Sequence, residues 1–158
     1  LDSLQLLQYI SAEDKSVADL GSGAGFPGLI LACALADKAG AAVTLVEKSP
    51  RKSEFLVAAA REVGLPVRVL NQRLEDPAPK ERFDVVTARA LAPLPKLMGY
   101  AYGWLKPSGK ALLMKGRDAV EELTLARESW TFEVSTGTSL SSPEGQVLTV
   151  SALGPWRA

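Results

Sequence analysis

The sequence predicts an α/β fold, with a mostly parallel sheet, helices on both faces and a C-terminal antiparallel hairpin. Three observations lead there. Five apolar runs, at Ser16–Leu20, Ala42–Glu47, Val67–Asn71 and residues 83–87 and 110–115, have the length of buried strands. Segments with helical spacing lie between them, and strand alternating with helix implies parallel strands joined by right-handed crossovers. After Trp130 the alternation stops, and two strand-like runs, 132–140 and 146–153, flank the turn sequence Ser141-Ser142-Pro143-Glu144-Gly145.

Each element has a local reason. Leu1-Asp2-Ser3-Leu4 reads as a helix start, and with Leu1 in place of Met the chain reads as a piece whose natural beginning lies upstream. The first strand runs into glycines, and a helix begins near Pro27. After the second strand Ser49 can cap a helix and Pro50 suits its first turn; Phe55, Leu56, Ala59 and Val63 share a face, and Gly64 can end it. Further helices are expected at 94–105 and 119–128, with Lys106-Pro107-Ser108-Gly109 as the turn into the fifth strand. No internal repeat or interdomain linker interrupts the 158 residues, and 47% hydrophobic content suits one domain, 1–158.

Composition narrows the function. Eighteen basic and eighteen acidic residues cancel, so a nucleic-acid partner has to be held by local patches. The single Cys33 allows no internal disulfide, and with no histidine there is neither a plausible zinc set nor an imidazole base, so no metal is expected. No window approaches a membrane span and no secretory segment opens the chain, so a soluble protein is expected; the lone cysteine suits a reducing cytoplasm, and a monomer is expected.

The most informative stretch is Asp19-Leu20-Gly21-Ser22-Gly23-Ala24-Gly25-Phe26-Pro27-Gly28, where a strand passes through three alternating glycines into a helix. Glycines there let the backbone turn sharply and bring main-chain N–H groups close to a ligand, at the sheet edge where open α/β folds bind cofactors. Glu47, ending the second strand, has the spacing of the carboxylate that accepts ribose hydroxyls; the plainer reading is a solvated carboxylate beside Lys48. Both a dinucleotide such as NAD and a nucleoside cofactor fit so far. The order Gly21-x-Gly23-x-Gly25 differs from GxGxxG, and Asp19 precedes it as in the Asp-x-Gly-x-Gly-x-Gly signature of class I Rossmann-like methyltransferases. S-adenosylmethionine carries an amino acid and a sulfonium but no phosphate, which a nearby carboxylate suits better than it suits pyrophosphate.

Several segments together resemble the 16S rRNA (guanine-N7) methyltransferase family, also called glucose-inhibited division protein B. They are Leu1-Asp2-Ser3-Leu4, Gly25-Phe26-Pro27-Gly28, Glu47-Lys48-Ser49-Pro50-Arg51-Lys52, Arg73-Leu74-Glu75, Thr87-Ala88-Arg89-Ala90-Leu91-Ala92-Pro93-Leu94 and Met114-Lys115-Gly116. The resemblance implies S-adenosylmethionine as cofactor and 16S rRNA or the small ribosomal subunit as partner. It also implies that Gly21 and Phe26 line the methionine and adenosine side of the pocket, that Leu74 and Glu75 lie against the adenine, and that Arg89 contacts cofactor or base. The family's N-terminal helical region, with its basic and histidine residues, is absent, so weakened RNA affinity is expected.

Guanine N7 has an available lone pair, so its methylation needs no base, in keeping with a chain without histidine. Arg89 would then orient the base through O6 or a phosphate, since bonding N7 would occupy the attacking lone pair; the plainer reading is an ion pair. Lys115 and Arg117, after the fifth strand, are the leading candidates for RNA phosphate contact, with Lys48, Arg51, Lys52 and Lys96 behind them. Other chemistries fit less well: no Asn/Asp-Pro-Pro-aromatic motif follows the fourth strand, and Cys33, inside the first crossover helix, reads as a small core residue and not as a nucleophile. An NAD-dependent oxidoreductase and a non-catalytic S-adenosylmethionine-binding module remain the alternatives.

Overall fold

The computed structural model describes residues 1–89 and 91–158; Ala90, part of the motif quoted above, lies outside the described residues. Among the described residues seven strands form one sheet in the order β3-β2-β1-β4-β5-β7-β6. They are β1 (Ser16–Leu20), β2 (Ala42–Glu47), β3 (Val67–Asn71), β4 (Phe83–Arg89), β5 (Leu105–Lys115), β6 (Trp130–Thr138) and β7 (Gln146–Pro155). The first five are parallel, and β7 enters antiparallel between β5 and β6. The predicted fold class, parallel core and terminal hairpin are therefore observed.

The parallel register aligns the carboxyl ends that matter. Leu20 lies opposite Val46 and Ala88, Glu47 opposite Asn71, and Arg89 opposite Met114. The chain builds outward from β1 to β3 and then returns to β4 on the other side of β1. Connections leaving β1 and β4 therefore diverge and open a crevice between them.

Among the described residues five α-helices cover the sheet: α1 (Asp2–Gln5), α2 (Gly28–Leu35), α3 (Pro50–Glu62), α4 (Leu94–Trp104) and α5 (Ala119–Ala126), with a 3-10 turn at Leu6–Tyr9. Alternate strand residues supply two cores. Val17, Leu45, Val85 and Leu112 face α2 and α3 through Leu31 and Leu56. Ala18, Val46, Val86 and Leu113 face α4 and α5 through Leu97, Met98 and Ala126. Each fully buried Leu or Val contributes about 1.5–3 kcal/mol, which makes the period-two pattern decisive for these strands.

Three expectations are corrected. Cys33 is on α2 but exposed, because the buried stripe of that helix is Gly28, Leu31 and Ala32. On α3 the buried face is Ser53, Leu56 and Ala60, while Phe55 and Val63 are exposed; the Ser53 hydroxyl tolerates burial because it donates to the Glu47 carbonyl at 3.2 Å. The segment 106–109 does not precede β5 but bulges within it: Phe83 pairs with Leu105 and Val85 with Lys110, so the intervening residues loop out of the ladder. No helix among the described residues is long and apolar enough to cross a membrane.

Candidate functional site

The turn after β1 is fixed by its neighbour β2. Gly21, Gly23 and Gly25 have φ of 70°, 55° and 100°, the left-handed region in which only glycine is unstrained. The Gly21 and Ser22 N–H groups both donate to the Val46 carbonyl, at 2.8 and 3.0 Å. A Cβ on Gly21 would also come within 2.6 Å of Leu91 Cδ1, so a side chain there would have to displace the Leu91 side chain, and the loop and the segment after β4 pack closely against each other.

Glu47 joins this loop to the next element. It is 6% exposed; Oε2 accepts from Gly23 N at 2.8 Å and Oε1 from Ser49 N at 3.0 Å. An ionised carboxylate offers about four acceptor positions, so two remain for a ligand. Glu47 also borders a cavity of about 320 Å³ whose walls include Gly21, Gly23, Leu74, Glu75, Leu91 and Tyr100. That volume lies at the small end of the cofactor-pocket range.

Asp19 has a different task. It is 1% exposed, Oδ1 accepts the Thr87 hydroxyl at 2.7 Å and Oδ2 accepts Gly28 N at 3.1 Å. Burial pushes its carboxyl up to about 6; the bonds from Thr87 and Gly28 pull the other way, and the nearby Glu47 charge adds to the rise. Asp19 thus ties β1, β4 and the start of α2 together beneath the loop, and it is not among the residues bordering the cavity. Gly28 has to be glycine for this, since a Cβ there would sit 2.5 Å from Asp19 Oδ2.

The opposite wall comes from the segment after β3 and from α4. Glu75 Oε1 accepts the Tyr100 hydroxyl at 2.8 Å, and that bond, with Arg73 and Lys96 nearby, holds the Glu75 carboxyl below its ordinary value. Lys96 lies 5.7 Å above the Tyr100 ring, one helical turn away. Tyr100 was not singled out in the sequence, although its i,i+4 spacing from Lys96 puts both on one face of α4. Thr87 was equally missed as a partner of Asp19; the two are opposite in register, which becomes visible only once β4 is known to lie beside β1.

The remaining expected residues scatter. Gly25 is buried within the loop, whereas Phe26 is 49% exposed; neither borders the cavity. Arg89 is exposed at the end of β4, at the carboxyl edge but outside the lining. Lys115 departs most from the reading as a phosphate contact: its side chain is 10% exposed and its ammonium bonds Glu122 Oε2 at 2.9 Å and the Ala92 carbonyl at 3.1 Å. Arg117 is exposed and bonds Glu144 at 3.0 Å. A larger cavity, about 780 Å³, opens at the opposite edge beside Leu105, Gly109 and Pro155, away from the glycine loop. Among the described residues no group of three or more His, Cys, Asp or Glu could hold a metal ion.

Known proteins place the chain in a family and share its fold. The family model described as rRNA small subunit methyltransferase G (GidB) matches residues 1–148. The ribosomal RNA small subunit methyltransferase G of Caulobacter vibrioides (strain NA1000 / CB15N) is 44% identical over 153 residues, covering 97% of this chain and 69% of its own. That of Paramagnetospirillum magneticum is 46% identical over 158 residues, 100% of this chain and 75% of its own. The crystal structure of a SAM dependent methyltransferase from Aquifex aeolicus superposes with a TM-score of 0.73 at 15% identity, covering 94% of this chain and 88% of that one, a likeness that concerns the fold.

Proposed function

The chain belongs to the rRNA small subunit methyltransferase G family, and from that premise we propose that it transfers a methyl group from S-adenosylmethionine to N7 of a guanine in 16S rRNA. It is an S-adenosylmethionine-dependent ribosomal RNA methyltransferase; the guanine, its N7 atom and the residue roles are our reading. We take residues 1–158 as one catalytic domain. The NAD-dependent oxidoreductase and the binding module without turnover are not favoured by this membership.

The observation that carries the cofactor assignment is the Glu47 carboxylate, buried, pinned through one bond to each oxygen, and still able to accept two more at the rim of the cavity. A ribose diol offers two donors, and the apolar Leu74 beside Glu75 provides a surface for an adenine. Gly21 and Gly23 bring backbone to the cavity where a side chain would intrude, leaving room for the methionyl part. When bound, S-adenosylmethionine supplies an electrophilic methyl on a sulfonium.

The protein then has to hold the guanine and exclude water, because N7 attacks through its own lone pair and no proton needs to leave first. Arg89, exposed at the end of β4 beside the crevice, suits that orienting role through O6 or a phosphate. Asp19 positions the loop through Gly28 and Thr87 without touching the ligand.

Calorimetric titration with S-adenosylmethionine and with NAD tests the reading, followed by mapping of 7-methylguanine in treated 16S rRNA. Binding of S-adenosylmethionine alone is expected, weakened roughly 10- to 100-fold by Glu47→Ala, as removal of hydrogen bonds made by a charged group implies. NAD binding, or unchanged affinity in Glu47→Ala, would overturn the assignment of the pocket. Methylation at another atom would overturn the choice of N7.

A further inference from the structure

The cavity wall contributed by Leu91 and Ala92 has no regular secondary structure of its own, yet Leu91 packs closely against Gly21 in the glycine loop. Two side chains from other elements grip this wall. Lys115, the last residue of β5, donates to the Ala92 carbonyl at 3.1 Å and to Glu122 Oε2 at 2.9 Å. Glu122, on α5, accepts the Leu94 N–H at 3.3 Å through its other oxygen, Oε1. The two contacts fall on either side of Pro93, which has no N–H to offer.

We propose that Lys115 and Glu122 form a clamp that sets the position of the 91–94 segment, and with it the cofactor-facing wall, so that both are positioning residues for methyl transfer; the proposal rests on the S-adenosylmethionine reading of the cavity.

The chemistry of the clamp fits this role. Helix α4 starts without a side-chain cap of its own, and Glu122 satisfies one of its free N–H groups while placing a negative charge where the helix dipole favours it. The side chains are only 10% and 18% exposed, so each charge depends on the other. Lys115 donates two of its three protons to these acceptors, one of them the carbonyl of a residue bordering the cavity. A surface lysine awaiting phosphate would leave its ammonium in water; this one is directed inward, at the wall.

The same geometry separates the clamp from ordinary stabilising pairs. Lys110 and Asp14 form a comparable half-buried pair, 2.9 Å apart with side chains 23% and 17% exposed, but neither residue borders the cavity. Losing that pair should lower stability and leave the site alone. Losing the clamp should lower stability and also loosen the wall.

The test compares two neutralised doubles, Lys115→Met/Glu122→Gln and Lys110→Met/Asp14→Asn, in thermal unfolding, calorimetric S-adenosylmethionine binding and methyl transfer. Neutralising both partners avoids stranding a buried charge, and the Lys115→Arg single variant asks whether a retained cation restores binding. The clamp double is expected to fold and bind the cofactor roughly 3- to 30-fold more weakly, the usual range for positioning contacts. Lys115→Arg is expected to recover most of that loss, and the Lys110/Asp14 double to bind as the unmodified chain does. Equal affinity in the clamp double, or an equal loss in both doubles, would overturn the clamp. If the unmodified chain fails to bind S-adenosylmethionine, the reading of the cavity fails first, which this series shows before any variant is measured.

Discussion

Two carboxylates within a few ångströms of the same loop have divergent roles because their surroundings differ. Glu47 ends its strand and keeps acceptor capacity at the cavity, whereas Asp19 lies one residue before its strand end and is enclosed. Enclosure raises the Asp19 pKa to about 6, above the ordinary aspartate value of 3.8. A carboxyl whose folded pKa is raised contributes stability in its protonated form below the unfolded value, and that contribution disappears as pH rises through the folded value. Between about pH 5 and about pH 7.5 the loss attributable to this one group is about 1.4 kcal/mol. Asp19→Asn can still accept from Gly28 through its carbonyl and still meet Thr87 through its amide. Urea denaturation at the two pH values should therefore show the unmodified chain losing about 1.4 kcal/mol more than the variant. Parallel pH dependences in the two proteins would show that Asp19 is not the buried acid. In the sequence Glu47 was already legible as the acceptor for ribose hydroxyls, whereas Asp19 was legible only as the acid before the glycines. The structural role of Asp19 depends on Thr87, which reaches it only through the pairing of β1 with β4.

At the scale of elements, legibility tracked how sharply polar flanks bounded an apolar run. The first three strands have the predicted limits, because polar or turn residues lie close to both ends of each one, Pro66 among them at the start of β3. The start of β5 was misread, since Lys106-Pro107-Ser108-Gly109 is a turn sequence that here sits inside a strand as a bulge; local chemistry cannot tell a turn between elements from a turn within one. The buried face of α3 was misread for the opposite reason. Apolarity pointed to Phe55 and Val63, but Ser53 takes the inner position, where its hydroxyl donates to the Glu47 carbonyl that Asn71 and Gln72 also bond. The cap of α3 was legible: Ser49 Oγ accepts Lys52 N at 3.2 Å. Ser49→Ala should lower stability by about 1 kcal/mol, the usual worth of such a cap. Because Ser49 holds Glu47 through its backbone N–H, cofactor affinity should change less than about twofold while the denaturation midpoint falls. A large loss of affinity at unchanged stability would instead make the Ser49 hydroxyl a ligand.

The molecule as a whole joins its N-terminal residues to its terminal hairpin. Asp2 accepts from the Ser139 and Ser141 hydroxyls, and Gln5 bonds the Thr138 carbonyl and the Leu140 N–H, so α1 and the turn between β6 and β7 hold each other. This gives Asp2, in one of the motifs that carry the family resemblance, a structural task the sequence did not reveal. Charge is also a property of the whole: with a formal net charge of zero there is no global attraction toward RNA, and affinity has to come from particular cations. If RNA approaches the carboxyl edge of the sheet, where the cavity opens, Arg51 in the first turn of α3 is well placed and exposed, whereas Lys80 precedes β4 at the opposite edge. Each phosphate contact contributes about 0.7–0.9 to the slope of log affinity against log salt. Arg51→Gln should therefore weaken rRNA binding and flatten that slope by about 0.7–0.9, and Lys80→Gln should leave both unchanged. The measurement is a salt series of rRNA affinities for the two variants and the unmodified chain. A flattened slope in Lys80→Gln with none in Arg51→Gln would mean that RNA binds the opposite edge, where it could not present a base to the cofactor cavity, and the proposed geometry of transfer would fail with it.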